Sequence, residues 1–434
     1  MAQQQEKQEQ QEDLPNASVR QTLEQLLGCK DYGLELACAK GDNYLGIVWR
    51  IHVPKEQGQL AVEVEQEVEG QRSLILKLPP QNTVRRKQFF ARPCFTRESL
   101  AYEEFLPLIQ RFQADQKLSK TERFRQHARC LVTRQDEPNE CIVLEDLCRR
   151  HYQLHDRFTD LTPAHVSLVM GAYAKLHATS LALKAKCKSQ QQQQRLLLPF
   201  QTLVDIFEQR RNDAALGAYF EQLKQNALDA LHQQQDAHYV QRLQAYFGRG
   251  SYFELLLPLL SGMNCEPYAV VCHGDSWNNN FLYKCDVATK QPLDVCLIDW
   301  QLMRYASPIT DLVYFLFSCT TRQFRQQHFR PMLQLYYKEL GQQLARLGET
   351  AATLFPFDAF EQQLREKGAV GLLLAMMVLP IVTMRGEDVP DLQVISDLVE
   401  GGASTSGFLG VGNESLYKQR MRDVILDCVD YEYI

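Results

Sequence analysis

The segment VVCHGDSWNNNFLY, residues 270–283, places a His, an Asp, a Trp and three consecutive Asn directly after a short apolar run. Asp and Asn compete with the backbone for hydrogen bonds, so a loop of fixed shape is predicted here. His273, Asp275 and Asn280 have the spacing H-x-D-x-x-x-x-N. In phosphoryl transfer such an Asp accepts the proton of the attacking hydroxyl, and the Asn holds a metal ion on the nucleotide phosphates. The segment therefore predicts a phosphoryl-transfer site.

A second acidic residue, Asp299, ends the apolar run PLDVCLID nineteen residues after Asn280. The intervening residues are predicted to form a hairpin that places Asn280 and Asp299 side by side. Their oxygen atoms would suit Mg²⁺, which prefers carboxylate, carbonyl and phosphate oxygens. The alternative interpretation is that Asp299 is a turn residue at the end of a strand.

Lys77 is a charged residue within the apolar run SLILKLPP, where an unpaired ammonium group would be costly. Glu98 is expected to open the helix that follows, in FTRESLAYEEF. A strand Lys paired with a Glu on the neighbouring helix positions phosphates in kinases. Glu103 and Glu104 are rival partners for the lysine, and an exposed strand edge is the alternative position for Lys77.

The elements that must hold these residues follow from the spacing of apolar residues. A helical pattern at 19–27 is followed by strand patterns between 44 and 79, a helix, and a strand, turn and strand ending in VLEDL. From about residue 147 onward the pattern is mostly helical, with strands at 269–272 and 294–299. These patterns predict an α+β fold with a disordered polar tail (1–16), a small β-rich N-lobe that binds nucleotide (17–146) and a larger helical C-lobe that carries catalysis and acceptor binding (147–434).

Composition narrows the class of protein. The net charge of −6 gives no global attraction to nucleic acid or anionic membranes. Thirteen cysteines without a C-x-x-C pair indicate reduced thiols and a cytoplasmic protein rather than a disulfide framework or a zinc site. The N-terminal residues lack the apolar core of a signal peptide. We expect no nucleic-acid partner.

Three further segments carry structural expectations. The apolar run at 368–384 contains Pro380 and is predicted to be a buried core helix rather than a membrane span. The Gln run at 190–194 and the segment GGASTSG at 401–407 are predicted to be flexible surface loops.

The chain resembles the ecdysteroid-kinase-like, or CHK-kinase-like, family of the aminoglycoside and choline kinase group. The resemblance covers about residues 40–317, from KGDNYLGIVWRIHV through FTRESLAYEEFLP, CIVLEDL, YAKLHATSLALK and the H-G-D-x-W-x-x-N motif to CLIDWQLMRYASPITDLVYFLF. It implies a protein-kinase-like two-lobe fold and an ATP- and Mg²⁺-dependent transfer to a hydroxyl of a small molecule. A steroid hormone, a steroid conjugate or a dietary toxin is the expected acceptor class, with detoxification as one role and choline-like alcohols as an alternative.

The resemblance also implies individual roles. Asp275 becomes the catalytic base, Asn280 and Asp299 the metal ligands, and Lys77 with Glu98 the phosphate-positioning pair. His273 is expected to brace the loop, and Asp311 to steady that loop or to cap its own helix. The remaining nucleotide-binding residues implied are a turn over the phosphates at 41–45, with Gly41, Asp42 and Asn43, and an adenine hinge at 145–147, with Glu145 and Leu147.

The chain departs from protein kinases in several places. The segment KGDNYLG lacks G-x-G-x-x-G, eleven residues lie between Asp299 and Asp311, and no A-P-E follows, so a usual activation segment does not fit. Trp277 occupies a position where protein kinases carry a Lys, and it is either a packing residue or a wall of the acceptor pocket. A catalytically silent binding protein with a kinase-like fold is the alternative from another class.

Overall fold

The computed structural model describes residues 14–37, 46–53, 72–80, 86–87, 90–187, 189–385 and 413–434. Its first unit is a five-stranded antiparallel sheet in the order β1-β2-β3-β5-β4. In β2, inward side chains alternate with partly exposed ones, as expected for a strand with one face on a core. The strands are β1 (Gly33–Leu36), β2 (Ile47–Val53), β3 (Arg72–Leu78), β4 (Cys130–Arg134) and β5 (Cys141–Glu145).

Helices cover both faces of this sheet. On one face lies α1 (Ala17–Leu27), which is capped by Asn16, the last residue of the predicted tail, and buries its apolar side chains against β2 and β3. On the other face α2 (Ala91–Leu100) continues through a π-helical turn (Ala101–Phe105) into α3 (Leu106–Asp115). The sequence suggested that Glu98 opens this helix. The helix begins at Ala91 instead, and Glu98 lies within its last two turns.

Two small sheets flank the loop at residues 273–280, which contains His273, Asp275 and Asn280. One pairs β7 (Val270–Cys272) with β10 (Arg304–Ala306), and the other has the order β6-β8-β9. The predicted hairpin is formed by β8 (Phe281–Cys285) and β9 (Pro292–Leu297), which pair antiparallel with Phe281 opposite Leu297. Strand β6 (Tyr152–Leu154) joins the hairpin from a connection that the sequence left without structure.

The rest of the chain is mostly helical. Single 3₁₀ turns occur at Leu147–Arg150, Met263–Cys265, Asn278–Asn280 and Trp300–Leu302. The helices in the described part are α4 (Pro163–Lys186), α5 (Gln190–Gln201), α6 (Ile206–Gln209), α7 (Ala214–Asp229), α8 (Ala237–Phe247), α9 (Tyr252–Leu260), α10 (Ile309–Cys319), α11 (Arg322–Arg346), α12 (Ala351–Leu354), α13 (Phe357–Lys367), α14 (Val370–Val382) and α15 (Glu414–Asp430). The arrangement confirms the α+β, protein-kinase-like two-lobe fold, while the lobe boundary at 146–147 stays a prediction.

The two helices whose sequences could suggest a membrane span are core helices. Helix α14 is buried along nearly its whole length against α10 and α15, which confirms the prediction for the 368–384 run. Within the described ranges, α4 alone is long and apolar enough to cross a membrane, and 78% of its most apolar window is buried inside the protein. All twelve cysteines of the described part are free thiols.

The two low-complexity segments have different outcomes. The Gln run was predicted to be a loop, and this prediction is wrong because these residues form the beginning of α5 (Gln190–Gln201). Gln has a good helix propensity, and the apolar residues that follow pack the end of the helix onto the core. The segment at 401–407 lies outside the described residues.

Candidate active site

Lys77 lies one residue before the end of β3, the central strand of the sheet, between Val48 of β2 and Ile142 of β5. Its side chain is buried, and Nζ lies 2.5 Å from Glu98 Oε2 and 2.5 Å from Asp299 Oδ1. Burial alone would lower the pKa of Lys77, but the two carboxylates raise it above its ordinary value, so the lysine is charged. One ammonium group therefore joins the sheet, helix α2 and the end of β9.

The structure pairs Lys77 with Glu98 rather than with either rival on the same helix. Glu103 points elsewhere, because its carboxylate accepts hydrogen bonds from Thr133 on the edge strand β4 and from Gln135, which directly follows that strand. Glu98 is almost completely buried, whereas Glu104 is exposed. A buried charge must be paired, and Lys77 supplies the partner.

Asn280 and Asp299 lie at the same end of the β8–β9 hairpin. The Ile298 N–H donates to the Asn280 carbonyl at 3.0 Å, directly before Asp299. Asp299 itself has φ 65° and ψ 70°, a left-handed conformation that turns its side chain back toward Lys77. The Asn280 amide nitrogen donates to the Asp275 carbonyl at 2.9 Å. The Asn280 amide oxygen and the Asp299 carboxylate are hard oxygen donors that could hold a divalent cation.

Asp275 follows β7 and is 5% exposed. Burial, together with the nearby Asp299 carboxylate, raises the pKa of Asp275 to about 7. The Tyr314 hydroxyl donates to Asp275 Oδ1 at 3.3 Å, and the Gln301 amide is a second hydrogen-bond partner of this carboxylate. A carboxyl group with a pKa near neutrality is suited to accept a proton from an alcohol during a reaction.

Asp311 braces the loop that carries Asp275. Its carboxylate accepts hydrogen bonds from the backbone N–H groups of His273 at 2.8 Å and Gly274 at 2.9 Å, and from the Ser276 hydroxyl at 3.1 Å. A fourth contact, at 3.2 Å, comes from the buried ring of His177. Helix α10 begins at Ile309 without a side-chain cap. Of the two expected positions for Asp311, the structure has the loop brace.

The His273 ring ties the loop to the segment before Asp299. Its Nδ1 accepts from the Asp275 N–H at 3.3 Å, so Nε2 carries the proton that is donated to the Ile298 carbonyl at 2.9 Å. Burial lowers the pKa of His273, which keeps the ring neutral. The ring also packs edge-on against Trp300, with centroids 4.8 Å apart.

The hinge expected at 145–147 has a defined hydrogen-bond pattern. The Glu145 N–H already donates to the Arg129 carbonyl at 2.9 Å, and the Glu145 carboxylate accepts from the Arg129 N–H. Leu147 is the first residue of a 3₁₀ turn capped by Asp146, a position whose N–H has no partner within the turn. Residues 41–45, with the expected Gly41, Asp42 and Asn43, lie outside the described residues.

Sequence reasoning missed the partners that approach Asp275 from other elements. Tyr314 follows Asp311 by three residues and therefore lies on the same face of α10, a spacing that would have indicated it. Gln301 carried no such signal. Trp277, left open between packing and an acceptor wall, is nearly buried beside the apolar core.

A second set of potential metal ligands, His177, Cys272 and Asp311, has its ligand atoms within 4.8 Å of one another. All three residues are buried and engaged in hydrogen bonds: His177 contacts Tyr336, and the Cys272 thiol donates to the Ser307 carbonyl. These contacts explain the cluster as support for the loop.

The chain matches the model of the ecdysteroid kinase-like family over residues 40–349. No curated protein matches it significantly. Three similar solved structures are a Plasmodium vivax ethanolamine kinase (10% identity, 87% of this chain and 83% of that chain, TM-score 0.37), a choline/ethanolamine kinase family protein from Mesorhizobium loti (15%, 94% and 98%, 0.36) and an aminoglycoside 2′-phosphotransferase-IIIa in a GDP complex (9%, 95% and 99%, 0.39). Because the family model covers well over half of the sequence, the chain belongs to the ecdysteroid kinase-like family and is a small-molecule kinase.

Proposed function

We propose that this kinase transfers the γ-phosphoryl group of ATP to a hydroxyl of a small hydrophobic molecule, with Asp275 as the general base. The observation that carries the proposal is the convergence at Lys77, whose Nζ lies 2.5 Å from both Glu98 and Asp299. A strand lysine, a helix glutamate and a hairpin aspartate in one cluster are the parts from which kinases build a phosphate site.

Nucleotide binding is divided between the lysine and the hinge. Lys77, held by Glu98, would contact the phosphates, and the turn at Gly41, Asp42 and Asn43 would cover them. The N–H at the hinge that would meet adenine is that of Leu147, because the Glu145 N–H is engaged with Arg129.

Asn280 and Asp299 would hold Mg²⁺, and their amide and carboxylate oxygens fit its preference for hard ligands. The bound ion supplies neutralisation of the charge on the phosphates. Asp299→Ala should weaken nucleotide binding about tenfold or more in the presence of Mg²⁺, with a smaller effect in its absence, because it removes the one charged ligand of the pair. Calorimetry with and without Mg²⁺ measures the difference, and an unchanged affinity for ATP with Mg²⁺ would remove Asp299 from this role.

The chemical step assigned to this chain is a proton transfer coupled to phosphoryl transfer. As the acceptor oxygen bonds to the γ-phosphorus, the bond between that phosphorus and the bridging oxygen breaks and leaves ADP. The acceptor proton goes to the Asp275 carboxylate. Tyr314 and Gln301 orient that carboxylate, and Asp311 and His273 fix the loop that carries it.

The proposed acceptor is a neutral, steroid-sized alcohol, by analogy with the family's description. Trp277 belongs to the loop that carries Asp275, the Tyr314 hydroxyl donates to Asp275, and these aromatic residues next to the base favour an apolar acceptor. Choline would need carboxylates or an aromatic cage instead. A cytoplasmic location and a role in detoxification are part of the same proposal.

Incubation of the protein with ATP, Mg²⁺ and a lipophilic extract, followed by mass spectrometry, tests the acceptor class. Phosphorylated hydroxylated steroids or plant glycosides are the expected products. If choline is turned over efficiently while these compounds are neither phosphorylated nor inhibitory, the hydrophobic acceptor is wrong. If nothing is phosphorylated and ATP still binds, the silent binding protein replaces the kinase account.

A further inference from the structure

Helix α2 is anchored to the larger lobe by an arginine next to Glu98. Arg97 is 2% exposed, its Nη1 donates to the Met303 carbonyl at 2.7 Å, and its Nη2 donates to the Val204 carbonyl. These acceptors lie 206 and 107 residues away in the chain. The guanidinium group thus joins α2 to two separate segments, one of which directly follows Asp299.

The first of these segments contacts the helix through three of its residues. The Trp300 N–H donates to the Glu98 carboxylate, Leu302 packs against Cys94, and the Met303 carbonyl accepts from Arg97. The position of α2 is therefore coupled by direct contacts to the residues that follow Asp299.

The second segment, residues 202–206, comprises the connection between α5 and α6 and the first residue of α6. Its Ile206 completes the apolar cluster formed by Cys94 and Leu302. Its Asp205 pairs with Arg304 at 2.8 Å, and Arg304 lies on β10 beside β7, the strand that leads into His273. Residues 202–206 thus contact α2 through Val204 and Ile206, and contact β10, which pairs with the strand leading into the catalytic loop, through Asp205.

We propose that Arg97 is a positioning residue for phosphoryl transfer, which holds α2 against Met303 and the 202–206 connection so that Glu98 stays on Lys77. The inference rests on the proposed role of the Lys77–Glu98 pair. Arg97 is suited to this because its planar fork can donate to two carbonyl groups at once, which a lysine cannot reproduce with the same geometry. Without the anchor, α2 loses both of the hydrogen bonds that Arg97 makes to backbone carbonyls of the larger lobe.

The test measures the dissociation constant of ATP with Mg²⁺, by calorimetry, for Arg97→Lys, Glu98→Gln and the double variant. Each single change should weaken binding about tenfold, since displacement of about 1 Å costs this much or more at a positioned site. The double variant should lose little beyond the larger single effect, because both changes act through the same pair. Arg92→Lys, on the exposed side of the same helix, is the matched control and should bind as wild type.

Arg97 and Glu98 are adjacent in the chain, and neighbouring substitutions can be non-additive for other reasons. A second double-mutant cycle therefore combines Glu98→Gln with Ile206→Ala, which weakens the contact with α2 from the side of the larger lobe. Ile206→Ala should weaken binding in the same direction and also be non-additive with Glu98→Gln, and it carries the test if Arg97→Lys fails to fold. Additive losses, or a lowered Tm with unchanged nucleotide affinity, would overturn the positioning role. If Glu98→Gln alone binds as wild type, the proposed phosphate pair is wrong, and the anchor with it.

Discussion

At the scale of single residues, the backbone at Gly274 sets where Asp275 can be. Gly274 has φ 87°, a conformation that side chains rarely adopt, and a Cβ there would lie 2.0 Å from the Leu302 carbonyl oxygen. Strain and collision act together at this position. The close approach brings the catalytic loop against the segment after Asp299, so the two acidic residues are held near each other by backbone contact as well as by side chains.

Gly274→Ala should therefore destabilise the protein by about 3 kcal/mol or prevent folding, from backbone strain and the clash with Leu302. Gly171→Ala is the control: it lies in α4, a Cβ there meets nothing within 4 Å, and alanine should stabilise the helix by up to about 1 kcal/mol. Chemical denaturation measures both. A Gly274→Ala protein as stable as wild type would contradict the close approach.

The residues with motif spacing could be predicted from the sequence, and so could the Glu98 partner of Lys77, whereas partners without a motif could not. Asp275 and Asn280 are marked by their motif spacing, Asp299 by its place after the next apolar strand, and Lys77 by its charge within an apolar strand. Gln301 and Arg97 are ordinary polar residues in sequence, and only the packing of distant segments brings them to the site.

At the scale of elements, the first turn of α10 supports the catalytic loop through one carboxylate. Burial alone would raise the pKa of Asp311, but the hydrogen bonds from His177 and from the loop lower it below its ordinary value. The contribution of a group with a lowered folded-state pKa is present above its unfolded pKa, about 4 for Asp, and is lost as the pH falls through the folded-state value.

Asp311→Asn should cost about 3 kcal/mol at pH 7, because an amide nitrogen replaces one acceptor oxygen facing several buried donors. The difference in unfolding free energy between wild type and variant should be constant between pH 5 and pH 8, and should narrow as the pH is lowered below about 4. Urea denaturation across this pH range is the measurement. A variant with wild-type stability at pH 7 would show that the loop does not depend on Asp311.

The longer strands could be predicted from the sequence, whereas several of the shortest could not. Strands β2, β3 and β5 and the β8–β9 hairpin show apolar alternation or β-branched runs, and they were found. Strands β1, β6 and β10 are three or four residues long, too short to show a period, and exist because a neighbouring strand pairs with them. The Gln run is helical although its low-complexity composition favoured a loop, because Gln has a good helix propensity.

At the scale of the whole molecule, the small sheet and the helical lobe meet through the site. The same buried cluster contains side chains of α2, β5, the β8–β9 hairpin and α10, so no separate core isolates the sheet on this side in the described part of the chain. The two-lobe order could be predicted, because it follows from the change of apolar period along the chain. The inter-lobe contacts could not, since they join residues about 100 to 220 positions apart.

Comparison of wild type with Asp275→Asn tests the central claim most directly. Both proteins are incubated with γ-labelled ATP, Mg²⁺ and the lipophilic extract, and their ATP affinity is measured by calorimetry. The account predicts that labelled product falls at least about a hundredfold, in line with loss of a general base, while the ATP dissociation constant stays within about twofold of wild type, because the base acts on the acceptor. A variant that retains a tenth of wild-type turnover would contradict it.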